Sequence, residues 1–253
     1  MRPPLAASTA ALLAVLLLHL PAAHAAGVNL RWNTCYGDGG VQDKNFACDT
    51  NLGTNVVVGS FLMDTDLLTV SGTVVIIDIA SAGAVLPAWW EMKNPGTCRQ
   101  LAISYSVNTP GGNCPDWAAA QGEGGLGQYL IGQRGPNTAR IGAVSAVPPS
   151  ALQDLIGGHE YYAFSLNVSN IKTVGTGACA GCQTGVCIVF NSILLNTPIL
   201  ANDRTLSGPS NGTDSNYCMW QGGGNPTVGV ITGCPAATPT KQRTWGAVKA
   251  LYR

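Results

Sequence analysis

Three cysteines fall within nine positions of the stretch CAGCQTGVC, at Cys179, Cys182 and Cys187. Such spacing fits a metal site, a redox dithiol or a covalent staple. A structural zinc needs four ligands, and no histidine stands within reach of the motif. A redox Cys-x-x-Cys needs its first thiol at a helix N-terminus, where the dipole lowers its pKa. Here Gly175, Gly177, Gly181 and Gly185 surround the motif and the apolar run Val186-Cys-Ile-Val-Phe190 follows. The helix is missing, so the expectation is a staple.

The compartment supports that reading. Residues 1–25 carry a cation at Arg2, an apolar run from Ala10 to Leu20, Pro21, and the small-residue pattern Ala23-His24-Ala25, which is the grammar of a secretory signal peptide. The run is about 11 residues, too short for a membrane span of roughly 20. The expectation is a secreted protein, extracellular or periplasmic, with one β-rich domain over residues 26–253 and no transmembrane segment after the signal. Disulfides are the default there. By proximity the pairs would be Cys35 with Cys48, Cys98 with Cys114, Cys182 with Cys187 and Cys218 with Cys234, leaving Cys179 as the odd, free thiol of nine cysteines.

Catalytic constellations are sparse. Of three histidines, His19 and His24 belong to the leader, so a Ser-His-Asp or Cys-His hydrolase would have to be built on His159. Its setting, Gly-Gly-His-Glu-Tyr-Tyr, reads as a turn entering a strand. Gly208-Pro-Ser210-Asn-Gly212 matches G-x-S-x-G but lacks the flanking strand and helix of a nucleophile elbow. Gly122-Glu-Gly124-Gly-Leu-Gly127 matches G-x-G-x-x-G, yet it follows the helix-like Asp116-Trp-Ala-Ala-Ala-Gln121 and has no acid about 20 residues on. The spacing of Glu91, Glu123 and Glu160 gives no sign of a paired-carboxylate cleft. No catalytic residue is assigned.

Two binding ideas have some footing. Asp38, Asp43, Asn45 and Asp49 crowd a glycine-rich loop whose oxygens suit calcium, the one cofactor considered, although the spacing is not that of an EF-hand. Trp89 and Trp90 could offer a flat face to a sugar ring. Adjacent residues of an extended chain point oppositely, so one of the two belongs in the core.

The elements that would carry these residues are strands. Residues 56–64, 67–82, 101–108, 139–147, 161–170 and 186–195 are short, rich in Val, Ile, Thr and aromatics, and bounded by Gly, Pro, Asn or Asp. In the fifth, Tyr162, Phe164, Leu166 and Val168 recur with period two, as on the apolar face of a half-buried strand. Thr73–Ala80 lacks alternation and reads as central. Helical signal is limited to residues 148–158, with a Pro start and a Gly stop, and to 116–121. The fold class is all-β: an antiparallel sandwich or distorted barrel, disulfide-stapled, with one or two short helices.

Thirteen bases balance thirteen acids, so nothing marks a nucleic-acid partner. The distribution is uneven: residues 26–91 hold seven acids and two bases, whereas after Asp214 there are only Lys241, Arg243, Lys249 and Arg253. The signal peptide, Pro87-Ala-Trp-Trp90 followed by Thr97-Cys-Arg99, the Cys-x-Gly-Cys segment running to Ile193, and the ending TWGAVKALYR resemble a group of uncharacterised secreted bacterial proteins. That resemblance implies export and no activity. The functional expectation is a secreted or cell-surface structural or interaction protein, with a glycan or a cell-surface protein as partner. The alternatives are a carbohydrate-binding module on the tryptophans and an exported hydrolase using His159 and Glu160.

Overall fold

A computed structural model describes residues 25–109 and 111–223. The signal-peptide reading, Cys234 and the basic ending lie outside the described residues.

The described chain is all-β. One sheet has four strands: β1 (Gly27–Trp32), β3 (Thr54–Leu62), β10 (Glu160–Ser169) and β6 (Ile103–Ser106), in the order β1-β3-β10-β6. The other runs β2 (Asp43–Lys44), β13 (Tyr217–Trp220), β11 (Val186–Asn196), β5 (Gly72–Ser81), β8 (Thr138–Ala146) and β7 (Glu123–Ile131), with β12 (Arg204–Ser207) also pairing with β11. A small ladder joins β4 (Leu67–Val70) to β9 (Gln153–Leu155). Pairing is antiparallel except where the two-residue β2 meets β13.

The sheets pack face to face as in a sandwich. Val28, Leu30, Phe61, Phe164 and Leu166 from the first meet Val75, Ile77, Ile141, Ile188 and Phe190 from the second in one core. Phe164 and Phe190 touch edge to face across it, 5.0 Å between centroids. As the missing alternation predicts, β5 is central, lying between β11 and β8.

A β-bulge explains one departure from simple periodicity. Register against β3 shifts between Tyr162 and Phe164, so Tyr162 pairs with Ser60 and Phe164 with Gly59. The extra residue, Ala163, sends Tyr162 to the opposite face. There it packs with Cys35, Val58 and Cys114, while Phe164 enters the main core. The apolar face read with period two therefore begins at Phe164. Gly59 accepts the Phe164 ring directly; a Cβ there would sit 2.3 Å from it.

Both expected helices are corrected. Residues 148–158 make a single 3-10 turn at Pro149–Ala151 and then strand β9. Residues 116–121 form a turn in which the Asp116 carboxylate accepts the Ala118 and Ala120 N–H groups. The helical pattern fails because a side-chain acceptor and Pro-fixed backbone satisfy these short segments locally. The glycine-rich run after them is the edge strand β7, which also disposes of the G-x-G-x-x-G match.

Candidate functional site

The most chemically dense part of the molecule lies where the 178–185 loop enters β11. Three disulfides join pairs of described residues, and none follows sequence proximity: Cys48–Cys182, Cys98–Cys179 and Cys35–Cys114. The expected local pairs are thus corrected, and Cys179 is bonded rather than free. The reason is topological. Because β2 lies beside β13 and β13 beside β11, the loop after β2 and the loop before β11 emerge at the same place. Cys48 and Cys182 meet there across 134 residues. Cys187, on β11, is disulfide-bonded as well. Among the described residues the free cysteine is Cys218, which is buried; burial pushes its pKa well above the ordinary thiol value.

Beneath the paired disulfides is an aromatic cluster. Trp220 stacks on Phe46 at 3.6 Å and lies 4.8 Å from Trp89 and 5.5 Å from Trp90. Trp89 and Trp90 are both fully buried in a 3-10 turn. Neither is an exposed sugar platform, and the turn lets two adjacent rings enter the same core, which an extended chain would forbid. The Trp220 Nε1–H donates to the Cys182 carbonyl at 2.6 Å, and the Trp89 backbone N–H to that of Ala180 at 2.9 Å. The cysteine loop is therefore pinned to the tryptophans as well as crosslinked.

Arg99 completes this layer. Its guanidinium lies over the Trp89 ring, 3.5 Å from the centroid, and donates to the carbonyls of Trp89 (2.7 Å), Ile171 (2.9 Å) and Ser169. Burial pulls its pKa down to about 10. Five donors in a planar fork suit this task, which a lysine could not perform. Arg99 stands in the Thr97-Cys-Arg99 stretch of the sequence resemblance, but its role is not legible there, since a buried cation serving backbone carbonyls has no motif. On the surface, the loop leaves a shallow hollow of about 580 Å³, lined by Cys48, Thr173, Cys179 and Cys182 among others. A smaller one of about 260 Å³ lies beside Cys98, Arg99 and Lys172.

A second polar centre surrounds Glu160. Its carboxylate accepts hydrogen bonds from the Tyr36 N–H (3.1 Å), the Gly37 N–H (2.7 Å), the Asn29 amide (3.1 Å) and the Ser60 hydroxyl. Ser210, the serine of the G-x-S-x-G match, is buried and its hydroxyl donates to the Asn29 side-chain Oδ1 at 2.5 Å. His159 is exposed, its Nδ1 3.4 Å from the Gly157 carbonyl. Glu160 thus fastens the loop after β1 to β3 and β10.

Among the described residues, the group of cysteine, histidine and acid side chains close enough to share an ion is Cys35, Cys114 and Glu160. The two sulfurs are bonded to each other, which removes their thiolates and leaves one carboxylate. The proposed calcium set does not converge. The Asp38 carboxylate accepts from the N–H groups of Asn113 and Cys114, and that of Asp43 from Gly222 N–H. Asn45 and Asp49 are exposed on the following loop.

No family model, curated protein or solved structure matches this chain.

Proposed function

We propose that the chain is an exported structural or interaction protein that works as an oxidised, rigid body and has no catalytic role. The observation that supports this most is the disulfide pattern. Bonds spanning 79, 81 and 134 residues tie loops of different strands together, and such long closures suit a protein that must persist outside the cytosol. The groups with catalytic potential serve the frame: Glu160 holds two backbone N–H groups, Arg99 three carbonyls, and Asp78 pairs with Arg140 at 2.7 Å and Arg134 at 3.2 Å. No helix of the described residues is long and apolar enough to cross a membrane. Oxidising conditions and a cell-surface location fit all of these features.

The test compares binding with turnover. The purified, oxidised full-length protein should bind the envelope fraction of its producing cell saturably, lose that binding after reduction, and turn over nothing in a broad hydrolase panel. Turnover abolished by His159→Ala or Glu160→Gln, with folding retained by circular dichroism, would overturn the proposal in favour of an exported hydrolase.

A further inference from the structure

Two disulfides meet on one short loop. Cys98–Cys179 and Cys48–Cys182 enter it three residues apart. Gly181, at φ +107, lets the loop press against Pro87, where a Cβ would collide with the proline ring. The Trp89 N–H and the Trp220 Nε1–H hold the carbonyls of Ala180 and Cys182. Opening one of the two bonds therefore leaves the loop fastened by the other and by the tryptophans.

The two bonds differ in their surroundings. Both ends of Cys48–Cys182 line the hollow of about 580 Å³, together with Gln183 and Thr184, whereas Cys98 borders the smaller hollow beside Arg99. The larger one is within the size range of small-molecule sites, and its lining residues carry no charge.

Cys48 is the end built to leave. Its backbone is held in the left-handed region at φ 55, a conformation that costs energy for a residue with a Cβ. Gln221 Nε2 stands 3.5 Å from the Cys48 sulfur as a donor. The same amide is fixed in place by the Phe46 carbonyl at 2.7 Å, by Gln183 Oε1 at 3.1 Å and, through its own Oε1, by the Phe46 N–H at 3.1 Å. A hydrogen bond to sulfur strengthens when the sulfur becomes a thiolate, and a better-stabilised thiolate leaves faster. Release of the bond also frees the Cys48 backbone to relax.

We propose that Cys48–Cys182 is a thiol-exchange site, at which a small uncharged thiol in the hollow forms a mixed disulfide with Cys182 and releases Cys48. The incoming thiolate forms a bond to Cys182 Sγ, the bond between Cys182 and Cys48 breaks, and its electron pair leaves on Cys48 Sγ beside the Gln221 amide. The incoming sulfur is oxidised, Cys48 is reduced, and the proton given up by the thiol ends on Cys48, so no further oxidant or reductant enters. The exchange is a stoichiometric modification rather than turnover. It leaves an adduct in the hollow while Cys98–Cys179 keeps the loop in place, and it holds whatever partner the protein binds.

Oxidised full-length protein with β-mercaptoethanol as the probe provides the test. Aliquots taken over time are quenched with N-ethylmaleimide in denaturant and digested without reductant. The first product should carry mercaptoethanol on Cys182 and maleimide on Cys48, with Cys98–Cys179 and Cys35–Cys114 still linked and the circular dichroism unchanged. Gln221→Ala should slow the exchange about tenfold, as for loss of one hydrogen bond to a charged group, and should spread the adduct over Cys48 and Cys182, a redistribution that a merely structural glutamine would not cause. If that variant fails to fold, the position of the wild-type adduct decides. An adduct on Cys48, earlier opening of either other bond, opening of Cys48–Cys182 only with loss of the circular dichroism, or a folded Gln221→Ala that keeps the wild-type rate and adduct position would each overturn the proposal.

Discussion

Arg99 lies flat on Trp89 with its guanidinium carbon 3.5 Å from the ring centroid, and what it holds are backbone carbonyls. A fully buried cation is tolerable here because three acceptors and an aromatic face replace its water. Arg99→Met would leave those carbonyls unpaired. It should cost about 3 kcal/mol, read as a lower urea midpoint with an unchanged m-value. Arg99→Lys should rescue little, because a point ammonium cannot serve the three sites together.

The paired disulfides predict a coupling between redox state and tryptophan environment. Removing Cys98–Cys179 by a double Ala substitution reopens a loop of 81 residues and should cost about 4 kcal/mol on the loop-entropy account. Because the same loop contacts Trp89 and Trp220 through hydrogen bonds, tryptophan emission should shift to the red on reduction, and iodide quenching should rise. In the oxidised protein the five described tryptophans, Trp32, Trp89, Trp90, Trp117 and Trp220, are all buried and should be quenched poorly.

Gly59 predicts a steric test. The Phe164 ring occupies the space that a Cβ at position 59 would need. Gly59→Ala should therefore destabilise by about 1–3 kcal/mol through overpacking, whereas Gly59→Ala combined with Phe164→Leu should recover part of the loss. Thermal denaturation of the two variants separates the outcomes.

Alkaline pH should unfold the protein through its buried phenols. Burial raises Tyr105 to about 12 and pushes Tyr129 and Tyr162 higher still, against an ordinary value of 10.0. Each folded phenol keeps its proton where the unfolded one loses it, so the contribution is complete below pH 10 and is lost as pH rises above it. Arg99 acts oppositely. Its lowered pKa means that the folded state sheds a proton first, which adds stability as pH climbs from about 10. Arg31, lowered by burial as well, acts in the same sense as Arg99, but Tyr217 and the Cys218 thiol are raised like the other three phenols. The raised groups outnumber the two lowered guanidinium groups, so the net slope above pH 10 is negative, and tyrosinate absorbance should appear together with loss of circular dichroism.

Six strand segments were legible because Val, Ile and aromatic runs between Gly and Pro have few other ways to bury themselves. β7 was not, since Glu123-Gly-Gly-Leu-Gly127 has little to bury and takes its strand form from pairing with β8. The bulge at Ala163 leaves no mark in the residue pattern, which is why Tyr162 was placed on the wrong face. Cysteine pairing was illegible for a related reason: strand order decides which loops meet, and Cys48 finds Cys182 only because β2, β13 and β11 are neighbours. An extended backbone would send Trp89 and Trp90 to opposite sides and leave one ring for a sugar, but theirs turns and buries both.

Long-range oxidised crosslinks lock the sandwich around buried tryptophans, and mass-spectrometric mapping of disulfide-linked peptides from the unreduced protein tests those crosslinks directly. The predicted result is Cys98 joined to Cys179, Cys48 to Cys182 and Cys35 to Cys114. Recovery of Cys98 with Cys114 and Cys35 with Cys48, or of these thiols in reduced form, would contradict it.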